Sequence, residues 1–321
     1  MDKKRYHKVR KTIAVLLVLS ALGPFVACSS QNAPINADSA YVDTTEDYTK
    51  HETNAGVSQE TTKGLSLSDV KPSFKPYQDN IAMDEESVLK IIRIAMADAQ
   101  KFYTDMGAPN MTYDKKLNIV SGNDNFYPEW MDEYFYMGKA MAESSFRVDV
   151  ITDIKSNPTE NDAHGILQIC PEGLKSTLEE YYRNIFGVSV DLSDLNVVPS
   201  KEDVQQAYYS PQAQANIVRA VYNNIYLAIC YDIYNVKCLN PIAHTDFYSA
   251  YGGFSEDIRR LAAIGLYGTS RNIVLSGLRN GTLEKDLRAI DDMNTYLNNI
   301  AKYEKQFENK YAQNYETGPQ R

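Results

Sequence analysis

The stretch PEWMDEYFYMGKAMAESSF, residues 128–146, decides how the folded part of this chain is read. Trp130, Tyr134, Met137 and Met141 recur at three- and four-residue spacing, so a helix is expected from about Pro128 to Ser144 with one apolar stripe. Glu143 falls at the C-terminal end of that stripe, between Met141 and Phe146. Desolvation and the negative end of a helix both favour the protonated form of a carboxyl placed there, which suits a general acid. An ordinary exposed helix-end glutamate is the plain alternative.

The same periodicity extends in both directions. Glu86 to Met106 places Val88, Leu89, Ile91, Ile92, Ala95, Ala99 and Phe102 on one face, with Asp84 or Ser87 as cap. A third helix is expected from about Ser210 to Val236, carrying Ile217, Val221, Ile225, Ile229 and Ile233. Shorter helices are expected at 243–251 and 255–267. A long one runs from Leu283 through Leu287, Ile290, Met293, Leu297, Ile300 and Phe307. Strand signals are short and isolated, as in 148–152, so the domain at 81–321 should be mainly α.

Residues 164–171, His-Gly-Ile-Leu-Gln-Ile-Cys-Pro, set one amide, Gln168, in an apolar run. A buried amide without partners costs roughly 1 to 3 kcal/mol, so Gln168 should face a ligand or a backbone network.

The other end of the chain reads differently. Lys3, Lys4, Arg5, Lys8, Arg10 and Lys11 precede an apolar run from Ile13 to Leu22, then Gly23, Pro24 and Phe25-Val26-Ala27-Cys28. About ten apolar residues are too few to span a bilayer but match the core of a secretory signal, so residues 1–27 are expected to be a signal peptide. Residues 28–80 are polar and lack a sustained period; they are expected to form a flexible tether. With the +5 of the leader set aside, the formal charge of −9 becomes about −14, which opposes nucleic-acid phosphates. His7, His51, His164 and His244 are scattered, and no phosphate loop, dinucleotide fingerprint or G-x-S-x-G elbow occurs, so neither metal nor cofactor is expected. Of the cysteines, Cys230 and Cys238 are the best candidates for a disulfide, with unpaired buried thiols as the alternative. Ten of the 24 tyrosines fall between Tyr181 and Tyr251; they suit stacking on sugars or packing along amphipathic helices.

Several of these stretches resemble known motifs. The sequence before Cys28 is similar to the lipobox of bacterial lipoproteins, with Phe25 where Leu is usual. That resemblance implies lipidation of Cys28 and an extracytoplasmic protein anchored to the cell membrane, or to an outer membrane. Glu143-Ser144-Ser145-Phe146 followed by Gly165-Ile166-Leu167-Gln168-Ile169-Cys170-Pro171 resembles the E-S-x-F and G-L-M-Q-x-x-P signatures of soluble lytic transglycosylases, with Leu167 in the Met place. Pro211, Asn216 and Ile217 resemble the family's P-x-x-N-I segment, and Ser249-Ala250-Tyr251-Gly252-Gly253 its A-Y-N-x-G motif, with Gly252 for Asn. Asp292-Met293-Asn294-Thr295-Tyr296 is a weaker echo of E-T-x-x-Y.

The resemblance covers roughly residues 130 to 305 and implies a lysozyme-like helical domain, similar to goose-type lysozymes, with a substrate groove. It implies cleavage of the bond between N-acetylmuramic acid and N-acetylglucosamine in peptidoglycan, with Glu143 as the catalytic acid/base and a 1,6-anhydro product. Tyr251 would then position Glu143, while Ser144, Ser145, Gln168 and Asp292 would contact substrate; helix-end capping is the plain alternative for the serines. A hydrolase of the same superfamily would need a second carboxylate, for which Asp149, Asp153, Glu160 and Asp162 are candidates. A non-catalytic glycan-binding envelope lipoprotein is the other class.

Overall fold

The computed structural model describes residues 66–105, 111–113, 119–121, 130–152, 162–243, 255–269 and 271–311. The leader, Cys28 and most of the expected tether lie outside the described residues, as do Tyr251, Asp153, Glu160 and nearly all of the short helix expected at 243–251.

Ordered packing starts earlier than expected. Ser66 forms a capping box around the single turn Leu67–Asp69, and Val70 is buried. β1 (Phe74–Tyr77) then pairs antiparallel with β2 (Asn80–Met83), Phe74 opposite Met83 and Tyr77 opposite Asn80. Residues from Ser66 to Asn80, expected in the tether, thus pack with the folded domain. Apolar periodicity could not show this, because β1 is mostly exposed and only β2 turns three consecutive residues, Ile81, Ala82 and Met83, into the core. Pro76 is tolerated on such a strand, which pairs on one side only.

Helices make up most of the rest. α1 (Glu85–Asp105) buries Val88, Leu89, Ile91, Ile92, Ala95 and Ala99. Asp84 is its cap: the carboxylate accepts from Ser87 N at 2.9 Å and from Ser73 N at 2.7 Å, closing the helix start and the hairpin end together. β3 (Met111–Tyr113) and β4 (Ile119–Ser121) form a second small ladder. α2 (Glu133–Ser144) starts later than Pro128 because Asp132 accepts from Phe135 N at 2.8 Å and sets the first turn, which leaves Trp130 ahead of the helix. β5 (Ile151–Thr152) and β6 (Ala163–His164) come next, then α3 (Pro171–Tyr181), extended by a π turn at Tyr182–Phe186.

After α4 (Lys201–Gln206) comes α5 (Pro211–Ala243), on which the expected stripe of Ile217, Val221, Ile225, Ile229 and Ile233 is buried. Of the two readings of Cys230, the structure shows the unpaired one: Cys230 and Cys238 lie on this unbroken helix, eight positions and so roughly 12 Å apart, too far for a bond. Cys230 is a buried free thiol.

α6 (Glu256–Gly268) and α7 (Arg271–Asn280) lead to the C-terminal segment. The long helix expected there is broken in two, α8 (Leu283–Arg288) and α9 (Asp291–Tyr311). Leu283, Leu287, Met293, Leu297, Ile300 and Phe307 are buried throughout, so the apolar spacing carries across the turn at Ala289 and Ile290 without revealing it.

Two contacts fix the end of α2 and the chain leaving it. α9 lies so close to α2 that a Cβ on Gly138 would fall 2.8 Å from Glu304 N and 2.9 Å from Ile300 O. β2 serves as a template for the segment after α2: Met83 N donates to Phe146 O, and Val148 N to Ile81 O, both at 3.1 Å.

Candidate active site

Glu143 occupies the last turn of α2. Ser145 and Phe146, both non-glycine, then take left-handed conformations at φ 56° and 64°. Such conformations cost of order 1 kcal/mol or more each, and they end the helix abruptly and fold Phe146 back against Phe307. The glutamate side chain is thereby held among side chains of other helices instead of trailing into solvent.

Its carboxyl titrates at about 7, well above the ordinary value. Burial is the largest cause; the Tyr296 hydroxyl and the Lys139 ammonium oppose it, and Asp232 adds to it. Tyr296 comes from α9 and faces the carboxyl, although no bond of normal length and angle closes between them. Lys139 lies one turn before Glu143 on α2 and is paired with Asp232 of α5 at 2.6 Å, both side chains almost wholly buried. Tyr267 of α6 is the fourth neighbour, its own ionisation suppressed by burial and by the Glu143 charge.

Opposite these groups lies the loop at 164–168, held by side chains from three helices. Ser144 donates to Ile166 O at 2.8 Å and Tyr267 to Leu167 O at 2.5 Å. Asn224, fully buried on α5, donates to His164 O (2.8 Å) and Val197 O (3.2 Å) and accepts from Leu167 N (3.0 Å). Gln168 sits at φ 48°; its amide donates to Gly165 O (2.7 Å) and Val150 O (3.3 Å) and accepts from the Thr152 hydroxyl. Each carbonyl from His164 to Leu167 is thus taken by a side chain, which fixes the loop against the acid.

These positions revise several expectations. Of the two readings of Gln168, the structure shows the backbone network. Ser144 is 1% exposed and donates to Ile166 O, which makes it a strut between helix and loop. Ser145 remains partly exposed beside Glu143. Asp292 is exposed on the first turn of α9; Tyr296, one turn on in the same motif, is the residue that reaches the acid. Asn216 is exposed and bonded to Asp203 and Gln212, whereas Asn224, two turns later, enters the site. Asp149 accepts from Ile81 N at 3.0 Å. Asp162 is 1% exposed, and the partly buried Cys170 thiol is pushed up by burial and by the charges of both Asp162 and Glu143. Among the described residues no group of three metal-ligating side chains converges, and no helix is long and apolar enough to cross a membrane.

Lys139, Asp232 and Tyr267 were not expected from the sequence. A signal existed for two of them: each is a lone charge inside a helical apolar stripe, and Lys139 is four residues from Glu143. Compared with protein-family models, curated proteins and solved structures, the chain matches none.

Proposed function

We propose that this chain is a lysozyme-like lytic transglycosylase that cleaves peptidoglycan, with Glu143 as its single acid/base. The observation that carries the reading is a carboxyl raised to about 7, enclosed by Tyr296 and Tyr267 and set against a fixed loop. A carboxyl with that affinity for its proton is partly protonated near neutrality, as a general acid requires. The motif resemblance of residues 143–146 and 165–171 supports the same assignment.

In the proposed reaction Glu143 gives its proton to the glycosidic oxygen between N-acetylmuramic acid and N-acetylglucosamine, and the C1–O bond breaks. The acetamido oxygen of the muramic acid stabilises the electron-poor C1. The Glu143 carboxylate then takes the proton from the C6 hydroxyl, O6 bonds to C1, and a 1,6-anhydro ring closes. The proton returns to Glu143 and no water is consumed. Release of soluble muropeptides from purified peptidoglycan by the wild type, and not by Glu143→Gln, is the expected result. No release by the wild type between pH 5 and 8 would contradict the reading and leave a glycan-binding role.

One observation favours a second reading, hydrolysis. Asp162 is a buried acid whose charge reaches the same Cys170 thiol as that of Glu143. If it activates water, Asp162→Asn should abolish turnover and the products should carry reducible ends.

Lipidation at Cys28 would place the enzyme outside the cytoplasmic membrane, where its substrate lies. Cys28→Ala should move the protein from the membrane to the soluble extracytoplasmic fraction or stop leader removal. Unchanged fractionation with normal cleavage would contradict the anchor. A single acyl chain holds only marginally, so more than one is expected on that cysteine.

A further inference from the structure

Beneath Glu143 lies a buried ion pair that the proposed chemistry does not touch. Lys139 Nζ is 2.6 Å from Asp232 Oδ2, with side chains 1% and 3% exposed. The same ammonium stands 3.2 Å from the centre of the Tyr267 ring, and the Tyr267 hydroxyl holds Leu167 O of the 164–168 loop. Three helices and the loop beside Gln168 are therefore joined through one cation. We propose that Lys139 and Asp232 are positioning residues: their pair locks α2, α5 and α6 together beneath the acid and sets the charge against which the Glu143 carboxyl works.

A fully buried ion pair is a poor source of stability, because desolvating two charges offsets most of their attraction, and apolar side chains of similar size often serve a fold as well. A lysine one turn from Glu143, held with its ammonium inside the core, supplies something apolar residues cannot. Its cation favours the carboxylate form of Glu143, and Asp232 partly cancels that field. Burial draws Lys139 below its ordinary value and pushes Asp232 above, each opposing the shift in the other. Facing Glu143 are Lys139 from α2, Asp232 from α5, Tyr267 from α6, Tyr296 from α9 and the Cys170 thiol ahead of α3. Among these groups Lys139 is the cation; with the Tyr296 hydroxyl it keeps the acid from rising further, and it is held in place by Asp232.

The inference rests on Glu143 being the acid, and the two claims separate in one experiment. The Glu143 carboxyl is titrated by carbon-13 NMR in the full chain, with Glu143→Gln assigning the resonance, and peptidoglycan turnover is followed over the same pH range. Lys139→Met should move the Glu143 midpoint up by about 1 unit or more, and Asp232→Asn should move it down by a smaller amount. A packing role alone would lower turnover in both variants without displacing the midpoints in opposite directions. Should either single variant fail to fold, Lys139→Met combined with Asp232→Leu decides: it removes both buried charges, should keep the fold, and should still titrate above wild type. An unmoved midpoint in that double variant, or shifts of the same sign in both singles, would overturn the proposal. If the midpoints move as expected while wild type releases no muropeptide, the pair's action on Glu143 stands and the enzyme reading falls. If turnover requires Glu143 but the midpoints stay fixed, the enzyme reading stands and the pair is structural.

Discussion

Glu143→Gln should lower turnover on purified peptidoglycan by at least about 100-fold while making the protein more stable at neutral pH. The two effects share one cause. Glu143 titrates at about 7 in the fold against 4.5 in an open chain, mainly through burial. Between those values the folded state keeps a proton that the unfolded chain has lost, so stability present below pH 4.5 drains away as pH rises towards 7 and is flat beyond. Glutamine has the shape of the protonated acid and no charge to bury, so it should recover about 2 kcal/mol above pH 7, allowing for the partial exposure of the site, and nothing at pH 4. Wild-type activity should fall tenfold per unit on the alkaline side of about pH 7, where the acid has lost its proton. Thermal unfolding of both proteins at pH 4 and pH 8, alongside turnover, checks the prediction. Near-normal turnover in the variant would remove Glu143 from the chemistry, and equal stability at pH 8 would mean that its carboxyl is not buried as described.

Gly165→Ala should be the most damaging small substitution near the site. Gly165 sits at φ 73°, and a methyl group there would fall 2.5 Å from Asn224 Nδ2 and 2.8 Å from Val197 O. The left-handed backbone alone costs an alanine roughly 1 to 2 kcal/mol, and the overlap with Asn224 and the Val197 carbonyl adds a comparable amount, about 3 kcal/mol in all. Asn224 can yield only by releasing His164, Leu167 or Val197, so the loop should loosen even where the fold survives. Denaturant unfolding and hydrogen exchange at 164–169 should show both effects. Unchanged protection at Leu167 and Ile169 would contradict this account of how the loop is held.

How far the sequence foretold these arrangements depends on whether a feature is local. The stripes of α1 and α5 were legible, and Ile217 to Ile233 lie inward as their spacing requires, whereas α2 buries Phe135, Tyr136, Met137 and Ala140 and leaves Tyr134 and Met141 of its expected stripe half-buried. The raised titration of Glu143 was one of two readings that its helix-end position allowed, the other being an ordinary exposed carboxylate, and burial by residues of other helices decides between them. Its partners were not legible. Lys139, Asp232, Tyr267 and Tyr296 stand on four different helices, and their meeting depends on tertiary packing such as the close approach of α9 at Gly138. Ser144 shows the converse difficulty: a serine beside an acid suggests a ligand contact until the Ile166 carbonyl is seen to claim it. The break between α8 and α9 was hidden because Leu287 and Met293 face the core from both sides of it.

In the reaction we propose, the bond is cleaved without water. Mass analysis of the muropeptides released from purified peptidoglycan, before and after borohydride treatment, tests it most directly. Products ending in 1,6-anhydro-N-acetylmuramic acid, lighter by one water than hydrolytic fragments and unchanged by borohydride, are the predicted result. Fragments that gain hydrogen on reduction, carrying free reducing ends, would contradict it and make the protein a muramidase.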